Sequence, residues 1–187
     1  MANKYSFYQL RMACQQHVLA SLYYEADDPD AFHAGYVEAV TLKHTLLWCV
    51  TPWGQPDGWC LRRTEDIQQV FMGDDFEVRL QMLLEMDGVQ HGQYLENTPP
   101  PDDDLLRHTL SRAHSKGDLV SVVMEDDVYT GAVLQLDDLR LSLSMLDFFG
   151  AAEGVRQFPL REIIALTIDT QEEKMYIRLR DTRLKLL

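Results

Sequence analysis

The stretch Leu119-Val-Ser-Val-Val-Met-Glu-Asp-Asp-Val-Tyr-Thr-Gly131 decides how the chain is read, because a close counterpart comes before it. Leu19-Ala-Ser-Leu-Tyr-Tyr-Glu25 matches Leu119–Glu125 in character at an offset of 100 (119 − 19). Further on, Gly35, Val37, Gly54, Gly58, Ile67 and Val70 stand over Gly131, Val133, Gly150, Gly154, Ile163 and Leu166 at an offset of 96 (131 − 35). The four-residue difference falls in the polar turn between Glu25 and Gly35, and a turn absorbs a length change that a strand does not. One small β-rich unit is therefore expected twice in the 187 residues.

Working outward, residues 5–17 read as a helix, with Tyr5, Tyr8 and Met12 on one face. Strands are expected at Leu19–Glu25, Phe32–Val40, Thr45–Val50, Trp59–Arg63 and Asp66–Phe71, with Phe76–Leu84 closing the unit as a strand that turns helical toward Met86. Residues 87–101 carry Gly88, Gly92, Asn97 and Pro99-Pro-Pro101, the composition of an extended and rather stiff linker. Asp102-Asp-Asp104 then suits the first turn of a second helix ending at Gly117, with Leu110 and Ala113 over Leu10 and Ala13. The second unit reads as strands at Leu119–Glu125, Tyr129–Leu136, Leu139–Met145, Val155–Pro159, Ile163–Asp169 and Met175–Arg180. The domains predicted are residues 1–86 and 102–187, with 87–101 between them. Closure of each unit into a small barrel would remove its exposed strand edges.

The second unit resembles an Sm-like (LSm, Hfq-type) domain. The resemblance rests on the helix ending in Lys116-Gly117, the strand Leu119–Met124, Tyr129-Thr-Gly131, Asp137 six residues after that glycine, the run Leu139–Leu143 and the late strand Phe158–Leu166. It implies a mainly β fold: two tandem Sm/SH3-like small barrels, each preceded by an N-terminal α-helix. Gly35, Gly131, Gly58 and Gly154 are its structural glycines. The first unit departs from the pattern at Thr41, where the aspartate is expected, and at Glu65, which stands over Arg161. The family's RNA-reading asparagine is replaced by Leu141 and Thr45, and neither offers an amide to a base edge.

Charge points the same way. A net charge of −13, divided as −8 over residues 1–98 and −5 over 99–187, repels nucleic acid and anionic membranes unless basic groups cluster. The cluster available is Arg161, Arg178 and Arg180, the last two sharing one face if Ile177-Arg-Leu-Arg180 is a strand; Arg183 and Lys185 extend it. Such a face could grip an acidic partner or the chain's own Asp102–Asp104, or stand as a solvated strand face.

Catalytic patterns are missing from the sequence. His17, His33, His44, His91, His108 and His114 are dispersed, without the paired histidines and glutamate of a zinc hydrolase helix. Neither a nucleophile elbow nor a phosphate or dinucleotide loop is present. Asp27-Asp-Pro-Asp30 lacks the spacing of a calcium loop, and Asp126-Asp127 and Asp137-Asp138 read as turn residues. Cys14, Cys49 and Cys60 have no metal-ligand spacing, which suits a reduced, cytoplasmic setting; Cys49 and Cys60 flank a hairpin. Trp48, Trp53 and Trp59 crowd that hairpin as packing residues or as an aromatic platform. No apolar run approaches the ~20 residues that span a bilayer. The expectation is a non-enzymatic protein with no cofactor, no metal and no membrane association. It would serve as a protein-interaction or assembly module whose partner is another protein or itself, as a dimer. The second reading is an RNA-binding regulator of Sm type.

Overall fold

The computed structural model describes residues 4–25, 31–125 and 127–186. The chain divides into two compact units between Leu106 and Arg107, and the fold is mainly β. The first unit runs α1 (Lys4–Gln16), β1 (Leu19–Tyr23), β2 (Phe32–Val40), β3 (His44–Val50), β4 (Pro56–Arg63), a 3-10 turn, β5 (Gln69–Met72) and α2 (Asp75–Met86). The second repeats the series as α3 (Leu105–Lys116), β6 (Leu119–Val123), β7 (Val128–Leu136), β8 (Arg140–Leu146), β9 (Ala152–Pro159), a 3-10 turn, β10 (Ala165–Ile168) and α4 (Gln171–Leu186). Among the described residues no helix is long and apolar enough to cross a membrane.

Strand pairing repeats residue for residue. The strands lie in the order β5-β1-β2-β3-β4 in one unit and β10-β6-β7-β8-β9 in the other, with antiparallel ladders. Gly35 faces Cys49 and Gly131 faces Met145, and each ladder slips by one residue just beyond, between Val37 and Ala39 and between Val133 and Gln135. A Cβ on Gly35 would land on the carbonyl oxygen of Trp48, and one on Gly131 on that of Ser144. These two glycines let the neighbouring strand come close where the bulge sharpens the bend. Gly58 and Gly154 take positive φ, at 64° and 117°. The expected closure is a correction: β5 pairs with β1 and β10 with β6, but neither joins the far strand of its own order, so the ladders stay open. At four residues each, β5 and β10 are short.

In the first unit alternate residues of each strand feed opposite faces. Leu10 and Ala13 of α1 pack with Ala20, Leu22, Leu47 and Cys49, while Leu80 and Leu84 of α2 pack with Leu19, Trp48 and Val50. Each helix thus buries one face of the same strands, and apolar burial supplies the main driving force for that arrangement.

The segments expected as closing strands are helices. Val78-Arg-Leu80 and Ile177-Arg-Leu179 alternate over too few residues to compete with a stronger signal, the N-terminal caps: a capping box at α2 and the Thr170–Glu173 pair at α4. Glu77 is buried at the third position of α2, accepts the Asp74 N–H at 3.1 Å through Oε2, and accepts the Ser21 hydroxyl through Oε1. Glu173 does the same in α4, from the Thr170 N–H at 2.7 Å and the Ser121 hydroxyl at 2.5 Å, with Thr167 adding a bond at 2.7 Å. Each unit so ties its last helix to its first strand through a buried carboxylate. Asp66 likewise belongs to the 3-10 turn rather than to β5, and α3 starts at Leu105, after the three aspartates. The Asp27–Asp30 turn, and Asp126, lie outside the described residues.

Candidate interaction site

The most exposed strand is β9, at the end of the second unit's order, bonded to β8 on one side. Its first six residues, Ala152–Gln157, are exposed, with Val155 at 66%. An unpaired strand edge presents a row of N–H and C=O groups to any chain that can align with it. Natural edges are blunted by charged side chains, bulges or proline; β9 carries Glu153, Arg156 and a bulge near its start but no lysine and no internal proline, and Gly154 and the terminal Pro159 limit its regular length.

The turn leading into β9 adds a rigid apolar tip. Asp147 Oδ1 accepts the N–H groups of Phe149 at 2.9 Å and Ala151 at 2.7 Å, and the Gly150 N–H bonds the Asp147 carbonyl at 2.9 Å. This locks the turn in which Phe148 and Phe149 stand 75% and 66% exposed, their rings edge to face at 5.6 Å. On β9 itself Arg156 lies over the Tyr129 ring at 4.1 Å. Rigid exposed aromatics anchor interfaces at low entropic cost. The first unit repeats the device more weakly: Thr51 Oγ1 accepts the Gln55 N–H at 3.1 Å, and Trp53 is 74% exposed. Two aromatics inside a polar turn were a visible signal in the sequence, and sequence reasoning passed over them.

The arginines expected to bind do not share a strand face. Arg161 lies in the 3-10 turn, 3.5 Å from Glu162, whereas Arg178 and Arg180 are exposed on α4. Two residues apart on a helix are about 200° apart around its axis, so Arg178 and Arg180 point to opposite sides. The tryptophans do not form a platform either: Trp48 is buried, and Trp59 donates to Glu38 at 2.8 Å.

Glu38, at the β2 bulge, organises the segment that reads as a linker. Its Oε1 accepts the N–H groups of Tyr94 at 2.8 Å and Leu95 at 2.6 Å, both residues being buried. His91 stacks on Tyr36 with centroids 4.9 Å apart, and a Cβ at Gly92 would run into the Trp59 ring. The Leu42 N–H reaches the Pro101 carbonyl at 2.8 Å. Residues 91–101 are thus strapped along the first unit. The repeat position of Glu38 is Leu134, which is exposed, so the strap belongs to the first unit alone.

Among the described residues no group of three or more His, Cys, Asp or Glu could hold a metal. One buried base does titrate unusually. His44, with its Nδ1 buried and unpartnered, is lowered from 6.5 to about 4, chiefly by burial, with Arg63 and Lys43 pushing the same way and Asp104 opposing. Below pH 6.5 the unfolded chain takes up a proton that folded His44 refuses, so stability falls as pH drops toward 4. The His44→Leu variant is expected to flatten that slope by at most about 3 kcal/mol, read from urea midpoints of both proteins across the window.

No protein-family model, no curated protein and no solved structure matches the chain.

Proposed function

We propose that the protein is a non-enzymatic, cytoplasmic interaction or assembly module made of two tandem Sm/SH3-like units with open strand orders, residues 1–86 and 102–187, joined by segment 87–101. What supports the fold reading is the glycine-bent second strand with its bulge, repeated at an offset of 96, and the short fifth strand returning to the first. The observation that carries the functional reading is the open β9 edge beside the Phe148–Phe149 tip. In this reading a partner protein, a second copy of the chain included, lays an extended strand along β9 while the two phenylalanines seat in an apolar pocket. The backbone supplies affinity and the aromatics supply selectivity. The acidic surface and the separation of Arg178 from Arg180 disfavour single-stranded RNA as the partner.

Sedimentation equilibrium over a concentration series tests the self-assembly form of this reading. The wild-type chain is expected to associate, and Val155→Lys with Phe149→Ser to weaken association by roughly tenfold or more, since a lysine on an edge opposes pairing and hot-spot aromatics dominate interfaces. A chain that stays monomeric and instead retains single-stranded RNA on filters, with an affinity falling steeply as salt rises, contradicts it.

A further inference from the structure

The first unit contains a cluster of reactive side chains that the second lacks. Cys49 on β3 and Cys60 on β4 are both buried in the same core. Leu47 pairs with Cys60, so Cys49, two residues on, is the diagonal neighbour of Cys60 on the same face. The Cys49 thiol donates to the Leu47 carbonyl oxygen at 3.7 Å, and the two thiols perturb one another electrostatically. Arg62, two residues from Cys60 on the same face of β4, stacks its guanidinium over the Tyr24 ring at 4.6 Å and keeps its Nε buried without a partner. The Tyr24 hydroxyl is 3.1 Å from His33 Nδ1. At the repeat positions of Cys49, Cys60 and Arg62 stand Met145, Arg156 and Phe158, so the module does not require a thiol pair there.

This arrangement separates the roles of the two sulfurs. The neighbouring Cys49 thiol lowers the Cys60 thiol, with His33 and Arg62 assisting against the cost of burial. Cys60 in turn, followed by burial, raises Cys49. A thiolate is the reactive form of cysteine, and the Arg62 guanidinium, two residues from Cys60 on the same face of β4, favours that form there, so Cys60 is the attacking sulfur and Cys49 the resolving one. Cys14 supplies an internal comparison: it is half-buried, bonds the Glu38 carbonyl at 3.4 Å, and is raised by burial.

We propose that Cys49 and Cys60 form a reversible oxidation site, closing to a disulfide across β3 and β4 when a small hydroperoxide such as hydrogen peroxide reaches the core. The Cys60 thiolate attacks one peroxide oxygen and the O–O bond breaks, leaving a sulfenic acid and a hydroxide that takes up the proton Cys60 released. The Cys49 sulfur then attacks the sulfenic sulfur, the S–S bond forms, and the S–O bond breaks with the oxygen leaving as water on the Cys49 proton. Each sulfur loses one electron and the peroxide is reduced to two waters. Both thiols are buried, so the oxidant must be small enough to enter through local opening of the core, which excludes a bulky disulfide such as that of glutathione.

The test is a hydrogen peroxide titration of the full-length chain, quenched by denaturing alkylation and digested with trypsin. Both cysteines fall in one peptide, residues 44–62. The expected product is that peptide unalkylated and lacking two hydrogen atoms, restored by reductant, at peroxide doses that leave Cys14 alkylatable. It should form several-fold faster in the folded chain than in urea, and equally well in Cys14→Ser. Cys49→Ser should instead leave Cys60 as a sulfenic acid trapped by dimedone. Preferential oxidation of Cys14, or a bridge that forms faster in urea than in the folded chain, overturns the proposal; the wild-type titration decides this without any variant.

Discussion

Gly35→Ala is expected to lower the stability of the chain by about 3 kcal/mol or more, and Gly131→Ala by a comparable amount, because overpacking against a backbone atom finds no side chain that can yield. The added methyl lands on the Trp48 carbonyl oxygen in one unit and on the Ser144 carbonyl oxygen in the other. To make room, β3 or β8 must draw away from its neighbour, and the ladder beside the bulge is lost with it. The comparison substitutions are Gly73→Ala and Gly88→Ala, where the backbone takes positive φ, unlike at Gly35 and Gly131, but open space surrounds the new methyl. Those should cost only about 1 kcal/mol. Urea denaturation of the four variants checks the ordering; equal losses at Gly35 and Gly73 would show that the close strand approach is not what the glycine serves.

Glu38→Ala is expected to release the strap. The substitution strands three N–H donors, on Tyr94, Leu95 and the Trp59 indole, all satisfied in the native chain by one carboxylate. A buried donor left without an acceptor costs about 1–3 kcal/mol, and partial rehydration of a freed strap holds the total to roughly 3–5 kcal/mol. The readout is chymotrypsin cleavage after Tyr94, which should become much faster while Leu134→Ala, at the repeat position, changes nothing. Glu38→Gln should be intermediate: its carbonyl keeps two of the donors, but its amide meets the indole N–H donor to donor. The pH dependence has the opposite sign to that of His44. Burial raises Glu38 above its ordinary value of 4.5, against the bonds from Leu95, Tyr94 and Trp59. Its contribution is therefore complete below pH 4.5 and declines as pH climbs through the raised value. Cleavage rates equal to wild type in Glu38→Ala would remove the clamp from the account.

How far each feature could be read from residues alone depends on how local its cause is. The duplication was legible because Gly35 and Gly131, and the apolar positions around them, hold one spacing through two units. The strands β1–β4 and β6–β9 followed from alternation. The closing helices did not, although Asp74-x-x-Glu77 is a capping box and Thr170 and Glu173 pair at the start of α4; a glutamate that must also be buried against Ser21 or Ser121 looks like surface charge until the partner strand is in view. The strap was invisible for a different reason. Glu38 and Tyr94 are 56 residues apart, and a single acidic residue in a strand carries no sign of the backbone it will hold. Arg178 and Arg180 were placed together by a two-residue period that α4 does not have. The Phe148–Phe149 tip could have been found, since two aromatics between Asp147 and Gly150 break the polar rule of turns.

One module is laid down twice in the same register. The most direct test is the set of cross-strand nuclear Overhauser contacts of the full-length chain in solution. Gly35 should face Cys49 and Gly131 should face Met145, with a one-residue slip just beyond each pair and helical contacts over residues 75–86 and 171–186. A Gly131 that faces Ser144 or Leu146 instead would turn every side chain of β8 to the other face, and the two halves would no longer be the same structure.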